Sequence, residues 1–215
     1  NIRALPNPDL RPEESDSLEL GLRLAGGIVS GSASVFYSRY EDFIESRVRI
    51  GTDPGTGTIL FQSRNLARAE VRGAEAMLEA DLSRALGLSP GWSTRLAAAY
   101  ARGDDLERRQ PLNSIEPLRG VVALRYDAPG GRVGADLALT AATGQDRVAD
   151  GPVPVARPGG FAVLDLTGYW RITAKVTVRA GIMNLTDRSY FEWSDVRGRA
   201  ADGKHAPTKP GEARA

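Results

Sequence analysis

The chain has no cysteine, one histidine and two methionines in 215 residues. Without thiols, disulfides and thiolate metal sites are excluded within it. With His205 alone, in a polar stretch near the end, a Ser/His/Asp arrangement would have to recruit that one residue, and no Gly-x-Ser-x-Gly turn carries a nucleophile. Long apolar runs are missing too. The longest, Leu96–Ala101, falls far short of the roughly 20 residues of a membrane-crossing helix. Neither sign of charge dominates: 28 basic against 27 acidic residues leave +1 at neutral pH, which gives no electrostatic ground for a nucleic-acid partner. The glycines of Gly51–Gly57 lack the lysine and the following helix of a phosphate loop. Asp104–Asp105 and Asp146 with Asp150 match no calcium-ligand spacing. These absences point away from catalysis and from an intrinsic metal or cofactor. The chain opens at Asn1 without a basic-then-apolar leader, so a mature piece or an internal fragment is expected.

What is present is a period of two. From Gly160 onward, Ala162, Leu164, Leu166, Gly168, Trp170 and Ile172 share one face of an extended segment, and Val163, Asp165, Thr167, Tyr169 and Arg171 share the other. A second run follows, with Ala174, Val176, Val178, Ala180 and Ile182 against Lys175, Thr177, Arg179, Gly181 and Met183. The pattern recurs upstream. Leu18, Leu20, Leu22 and Leu24 alternate with polar residues; Val29 to about Val48, Glu70–Leu82, Ser93–Arg102, Pro117–Tyr126 and Val133–Thr143 read as further strands. Eight strands result, and no regular helix is expected. Residues 1–15, with Pro6, Pro8 and Pro12, read as a loop. Glu75, Glu79 and Asp81 on one strand face would be costly in a dry core and natural in a wet lumen.

The connections sharpen this. They alternate short (26–27, 87–91, 128–131, 172–173) and long (49–66, 103–115, 144–159, 185–209). Short turns on one side and long loops on the other are the signature of an up-and-down membrane barrel, greasy toward lipid and polar toward a lumen. Aromatics collect near both strand ends, as interfacial girdles do: Tyr37, Tyr40, Phe43, Tyr100 and Tyr190 by the long loops, Trp92, Tyr126 and Trp170 by the short turns. A soluble secreted β-sandwich that binds carbohydrate or protein is the alternative; there the leucine faces would pack on one another.

Three segments then resemble one family. Asn7-Pro8-Asp9-Leu10 with Pro12-Glu13, then Glu19 and Gly21, resembles the "NPxLxPE…ExG" stretch of TonB-dependent outer-membrane receptors. Asn65 followed by Gly73-Ala74-Glu75 is similar to their "N…GvE" strand, and Asn184-Leu185-Thr186-Asp187 with Tyr190 to their "NLxDxxY". The longer strings PLRGVVALRYDAPGGRVGADLALTAATGQDR, PGGFAVLDLTGYW and NLTDRSYFEWSDVRG look like the haem and haemoglobin branch. The resemblance implies an all-β, antiparallel transmembrane barrel of 22 strands with a plugged lumen, in the outer membrane of a Gram-negative bacterium, importing iron held as haem or in a host haem protein. A siderophore or cobalamin receptor is the alternative within that architecture. Residues 1–215 would be the C-terminal part, about eight strands, with the plug that contacts TonB lying outside this chain. The family's closing strand and terminal aromatic have no counterpart after Pro210-Gly211, and an open sheet edge is not tolerated in lipid, so these residues are not expected to form a working barrel alone. The ligand-contact expectation falls on Tyr190, Trp193, Asp195, Arg197 and His205 in the last long loop, since aromatics stack on flat macrocycles and basic groups pair with propionates. Haem would be cargo and not a resident cofactor.

Overall fold

The computed structural model describes residues 2–149 and 154–201. Eight strands form a single meander: β2 (Glu14–Ala25), β3 (Val29–Thr52), β4 (Ile59–Asp81), β5 (Trp92–Asp105), β7 (Arg119–Asp127), β8 (Val133–Ala142), β9 (Phe161–Arg171) and β10 (Thr177–Ile182). Each meander strand is antiparallel to the one before it. Two short strands lie off this path: β1 (Ile2–Leu5) pairs parallel with the start of β4, and β6 (Gln110–Pro111) pairs with the end of β5. Two short helices, α1 (Leu82–Leu86) and α2 (Trp193–Val196), complete the described elements.

The short turns are built from their own residues. Asp81 caps α1 by accepting from the Arg84 amide at 3.0 Å, and Gly87 ends it in the left-handed conformation. The Arg84 guanidinium reaches across to the Gly27 carbonyl of the neighbouring turn, 2.7 Å away. Register then carries the alternation across the whole sheet. Leu24, Gly31, Leu78, Leu96, Val122, Leu139 and Leu164 form one cross-strand row; Arg23, Ser32, Met77, Ala97, Val121, Thr140 and Val163 form the next, on the opposite face. On the leucine face, Leu18, Leu20 and Leu22 are 75%, 74% and 75% exposed. No second sheet covers them among the described residues, so the sandwich alternative lacks its partner layer. An uncovered apolar face of this extent suits lipid. On the same face Trp92 stacks with Tyr126, ring centroids 4.9 Å apart, near the short turns, and Tyr37 and Tyr100 stand further along. From Trp92 to Tyr100 is roughly 26 Å of strand before tilt, close to the ~25 Å apolar band of an outer-membrane barrel. On the polar face the Phe36 ring lies over Gly73, where any Cβ would come within 2.5 Å of the ring and 2.4 Å of the Tyr100 carbonyl oxygen. The glycine of the Gly-Ala-Glu motif is there to admit that ring.

Three expectations need correction. Residues 49–66 are mostly strand: β3 and β4 run on as a hairpin whose tip is only residues 53–58. Residues 2–5 are a strand and not part of a loop, because the prolines that bar pairing begin only at Pro6. The short connection after β4 and the last long loop each contain a helical turn where none was expected. The edges β2 and β10 stand at opposite ends of the strand order, so the sheet is open.

Candidate functional site

All long connections fall at one end of the sheet, and there the backbone stops being regular. Asp42 and Arg47 have φ of 51° and 56°, and the β3–β4 register slips between Glu45 and Val48. The backbone around Asp42 is held by side chains bonded to it. The Asn65 amide donates to the Asp42 carbonyl at 2.6 Å and to the Arg11 carbonyl at 3.0 Å, and its oxygen accepts from the Arg11 amide. The Glu13 carboxylate accepts from the Ile44 amide at 2.7 Å, and Asn7 donates to the Ser63 carbonyl at 2.9 Å. The Arg11 guanidinium pairs with Asp42. In the same stretch Pro8 and Pro12 are exposed and Leu10 half-buried. The motif around Asn7 and Glu13 is thus a strap pinning the chain across the bulged hairpin. Asn184 does the same after β10: it is buried, with φ of 51°, and its side chain both accepts from and donates to the Arg188 backbone. Asp187, also at positive φ, closes this turn through its amide on the Asn184 carbonyl, while Leu185 stays exposed.

Inside the mouth, Trp193 is 2% exposed and packs with Val148 and Val196 against Val155, Ala156 and Phe191. Its indole N–H donates to the Asn113 carbonyl at 2.8 Å, and the Asn113 side chain accepts from the Ala149 amide at 2.8 Å. One residue therefore ties the loop after β5, the loop after β8 and the loop after β10 together. Arg47 donates to the Ser194 carbonyl at 2.7 Å, fastening the last loop to β3. Gly198, φ 75°, lies flat on Phe61, where a Cβ would come within 2.7 Å of the ring.

Of the five residues expected to meet ligand, the structure brings Trp193 and Arg197 to one carbonyl, that of Asn113, with the Arg197 guanidinium 3.4 Å from it. Trp193 is a buried pillar, and its faces are occupied by protein. Tyr190 is half-buried on Phe161, ring centroids 4.3 Å apart, and burial, with Glu192 next, pushes its hydroxyl above the ordinary value. Asp195 sits half-buried in α2. His205 lies outside the described residues.

Between β3, the loop after β5 and the last loop is a cavity of about 620 Å³ lined by Arg47, Arg49, Arg64, Arg108, Arg197 and apolar side chains. Glu45 forms part of its wall, 7% exposed, with one carboxylate oxygen accepting from the Ser114 hydroxyl at 2.9 Å and the other buried without a partner. Burial pushes the Glu45 carboxyl above its ordinary value, against the opposing pull of Ser114 and Arg197; Glu116 is raised for the same reason, and burial lowers Arg197. Among the described residues no group of three or more histidine, aspartate or glutamate side chains is placed to hold a metal ion. A second concavity, about 770 Å³ at the short-turn end, is lined by charges of both signs: Arg125 pairs with Asp127 at 2.6 Å, and Glu79, Asp81, Asp136, Arg84 and Arg95 also line it. Sequence reasoning missed Arg49, Arg64 and Asn113, which lie in stretches read as loop, and Glu45, which lies near the end of a stretch read as a regular strand.

A model of the family described as TonB dependent receptor-like, beta-barrel, matches residues 1–185. Among curated relatives, "Hemoglobin-haptoglobin utilization protein B" of Neisseria meningitidis serogroup A is 29% identical over 219 residues, covering 89% of this chain and 27% of that protein. Among solved structures, "Copper transporter OprC" superposes with a TM-score of 0.77 at 27% identity, over 96% of this chain and 32% of that one. A ferric enterobactin receptor of Pseudomonas aeruginosa superposes at 0.69 with 21% identity, over 99% and 32%. The chain spans about a quarter of the length of the curated relative described above.

Proposed function

The chain belongs to the TonB-dependent receptor β-barrel family, and from that premise we propose that it is part of an outer-membrane receptor that takes up iron held as haem or in a host haem protein. The observation that carries the reading is the likeness, over 89% of this chain, to a protein named for haemoglobin–haptoglobin utilization. In physical terms the outward leucines face lipid, the polar strand faces line the path, and the cross-tied outer loops catch the ligand. Passage is binding followed by gated release driven through TonB and a plug, with no covalent step. Arg197 and Tyr190 remain the ligand contacts of the last loop, and Trp193 shapes the mouth from within.

The test uses the full-length parent protein in outer-membrane vesicles, titrated with haemin and with haemoglobin while the iron-bound absorbance band is followed. Saturable uptake of both supports the reading. Absence of binding by a folded, inserted protein overturns it and promotes the alternative, a receptor for ferric siderophores.

A further inference from the structure

The outer cavity carries more positive charge than it neutralises. Arg49, Arg64, Arg108 and Arg197 all line it, and among the described residues none has a carboxylate within ion-pairing distance. Two of them each bury one N–H nitrogen without a hydrogen-bond partner, one Nη of Arg49 and the Nε of Arg197, while the other Nη of Arg49 donates to Thr52 and the Nη groups of Arg197 donate to Asn113 and Ser46. Two acids line the same space against five arginines, and Glu45 acts on Arg197 through space without closing an ion pair. Asp105 accepts from the Glu107 and Arg108 amides, and Glu45 accepts from Ser114. Val48, Ile50, Leu66 and Leu112 supply an apolar wall between the cations. Buried guanidinium N–H groups left without acceptors are costly, and the group that satisfies them best is a carboxylate accepting two parallel bonds. The cavity volume, about 620 Å³, falls in the range of small-molecule sites.

We propose that this cavity receives an organic anion bearing two carboxylates on an apolar body, its acid groups gripped by Arg49 and Arg197 within the wall and by Arg64 and Arg108, which are exposed, at the opening. The inference rests on the haem reading above, and names the part of the ligand this end of the barrel recognises: the acidic edge of the macrocycle and not its metal.

The experiment uses the full-length receptor in detergent micelles and two metal-free probes, protoporphyrin IX and its dimethyl ester, with haemin as reference and protein-free micelles as blank. Binding is read by porphyrin fluorescence, and folding by heat-modifiable electrophoretic mobility. The proposal expects the diacid to bind about tenfold or more tighter than the ester, and the Arg49→Gln/Arg197→Gln variant to bring the diacid down to the ester's affinity. The exposed pair Arg64→Gln/Arg108→Gln, whose side chains make no ion pair among the described residues, is expected to give the same direction at about threefold to tenfold, and it decides the matter should the first variant fail to fold. Equal binding of diacid and ester, or folded variants that bind the diacid like the wild type while haemin still binds, overturns the cavity assignment and leaves the haem reading standing. A wild-type receptor that binds neither haemin nor protoporphyrin overturns both.

Discussion

The two ends of this sheet are made by different chemistry. Toward the short turns the strands pair without a slip, from Val29–Ala80 through Asp81–Ser93 to Val133–Trp170, and side chains need only alternate. Toward the mouth, β3 bulges, loops fold inward, and order comes from side chains bonded to backbone: Asn7, Glu13, Asn65, Asn113 and Asn184 each satisfy main-chain groups that the ladder no longer does. The lesson is that a barrel wall is specified by pattern and by its solvent, lipid, whereas a barrel mouth is specified by individual polar residues and a small core of its own.

Substitution at each end separates the two. Trp193→Ala removes the pillar of the mouth and is expected to have the largest effect, about 3–5 kcal/mol on closure of the outer loops. Limited proteolysis should then cut residues 183–201 in a protein whose insertion and electrophoretic mobility are unchanged; loss of insertion instead would show that wall and mouth do not fold separately. Leu22→Arg strikes the wall at its exposed apolar face, where a cation near the bilayer midplane costs about 2–4 kcal/mol. Its signature is the reverse: weakened folding into vesicles, with loop protection in the inserted fraction intact. Asn113→Ala leaves the Ala149 amide without its acceptor and is expected to cost about 1–3 kcal/mol, seen as faster hydrogen exchange of that amide. The smallest effect is one of pH. A carboxyl whose folded value is raised stabilises the closed mouth fully below its ordinary value of 4.5, and that contribution is lost as pH climbs through the raised value. Glu116 adds the same sign. Loop protection should therefore fall as pH rises from about 4 toward neutrality, and Glu45→Gln should flatten the slope. An unchanged slope in that variant would remove Glu45 from the account.

The wall was legible in the sequence and the mouth largely was not. Leu18 through Leu24 and Ala162 through Ile172 announce strands because nothing interrupts their alternation. Beyond Glu41 the two bulges shift which residues face inward, so the period of two fails over the stretch where β3 and β4 continue, and residues 49–66 read as loop. Trp193 read as a ligand platform because an aromatic among charged loop residues has that look. The contrary signal was present in Val148, Phe191 and Val196, apolar residues with no reason to sit in solvated loops, but their meeting is long-range and no local pattern encodes it. The Asn-Leu-Thr-Asp motif was recognisable, and its physical role, a buried asparagine at positive φ, needed coordinates.

The length of the β3–β4 hairpin has a mechanical corollary. At 24 and 23 residues these strands are about twice what a tilted span requires, roughly 80 Å of chain, so their upper halves rise above the headgroups as a mast. The mast has two stays. Asn7, Arg11 and Glu13 lash it to the segment leading into β2, and Arg47, together with Gly198 against Phe61, lashes it to the last loop. The tip is thereby tied, through the bulged stretch at Ser46–Arg47, to the wall of the arginine-lined cavity and is not a free loop.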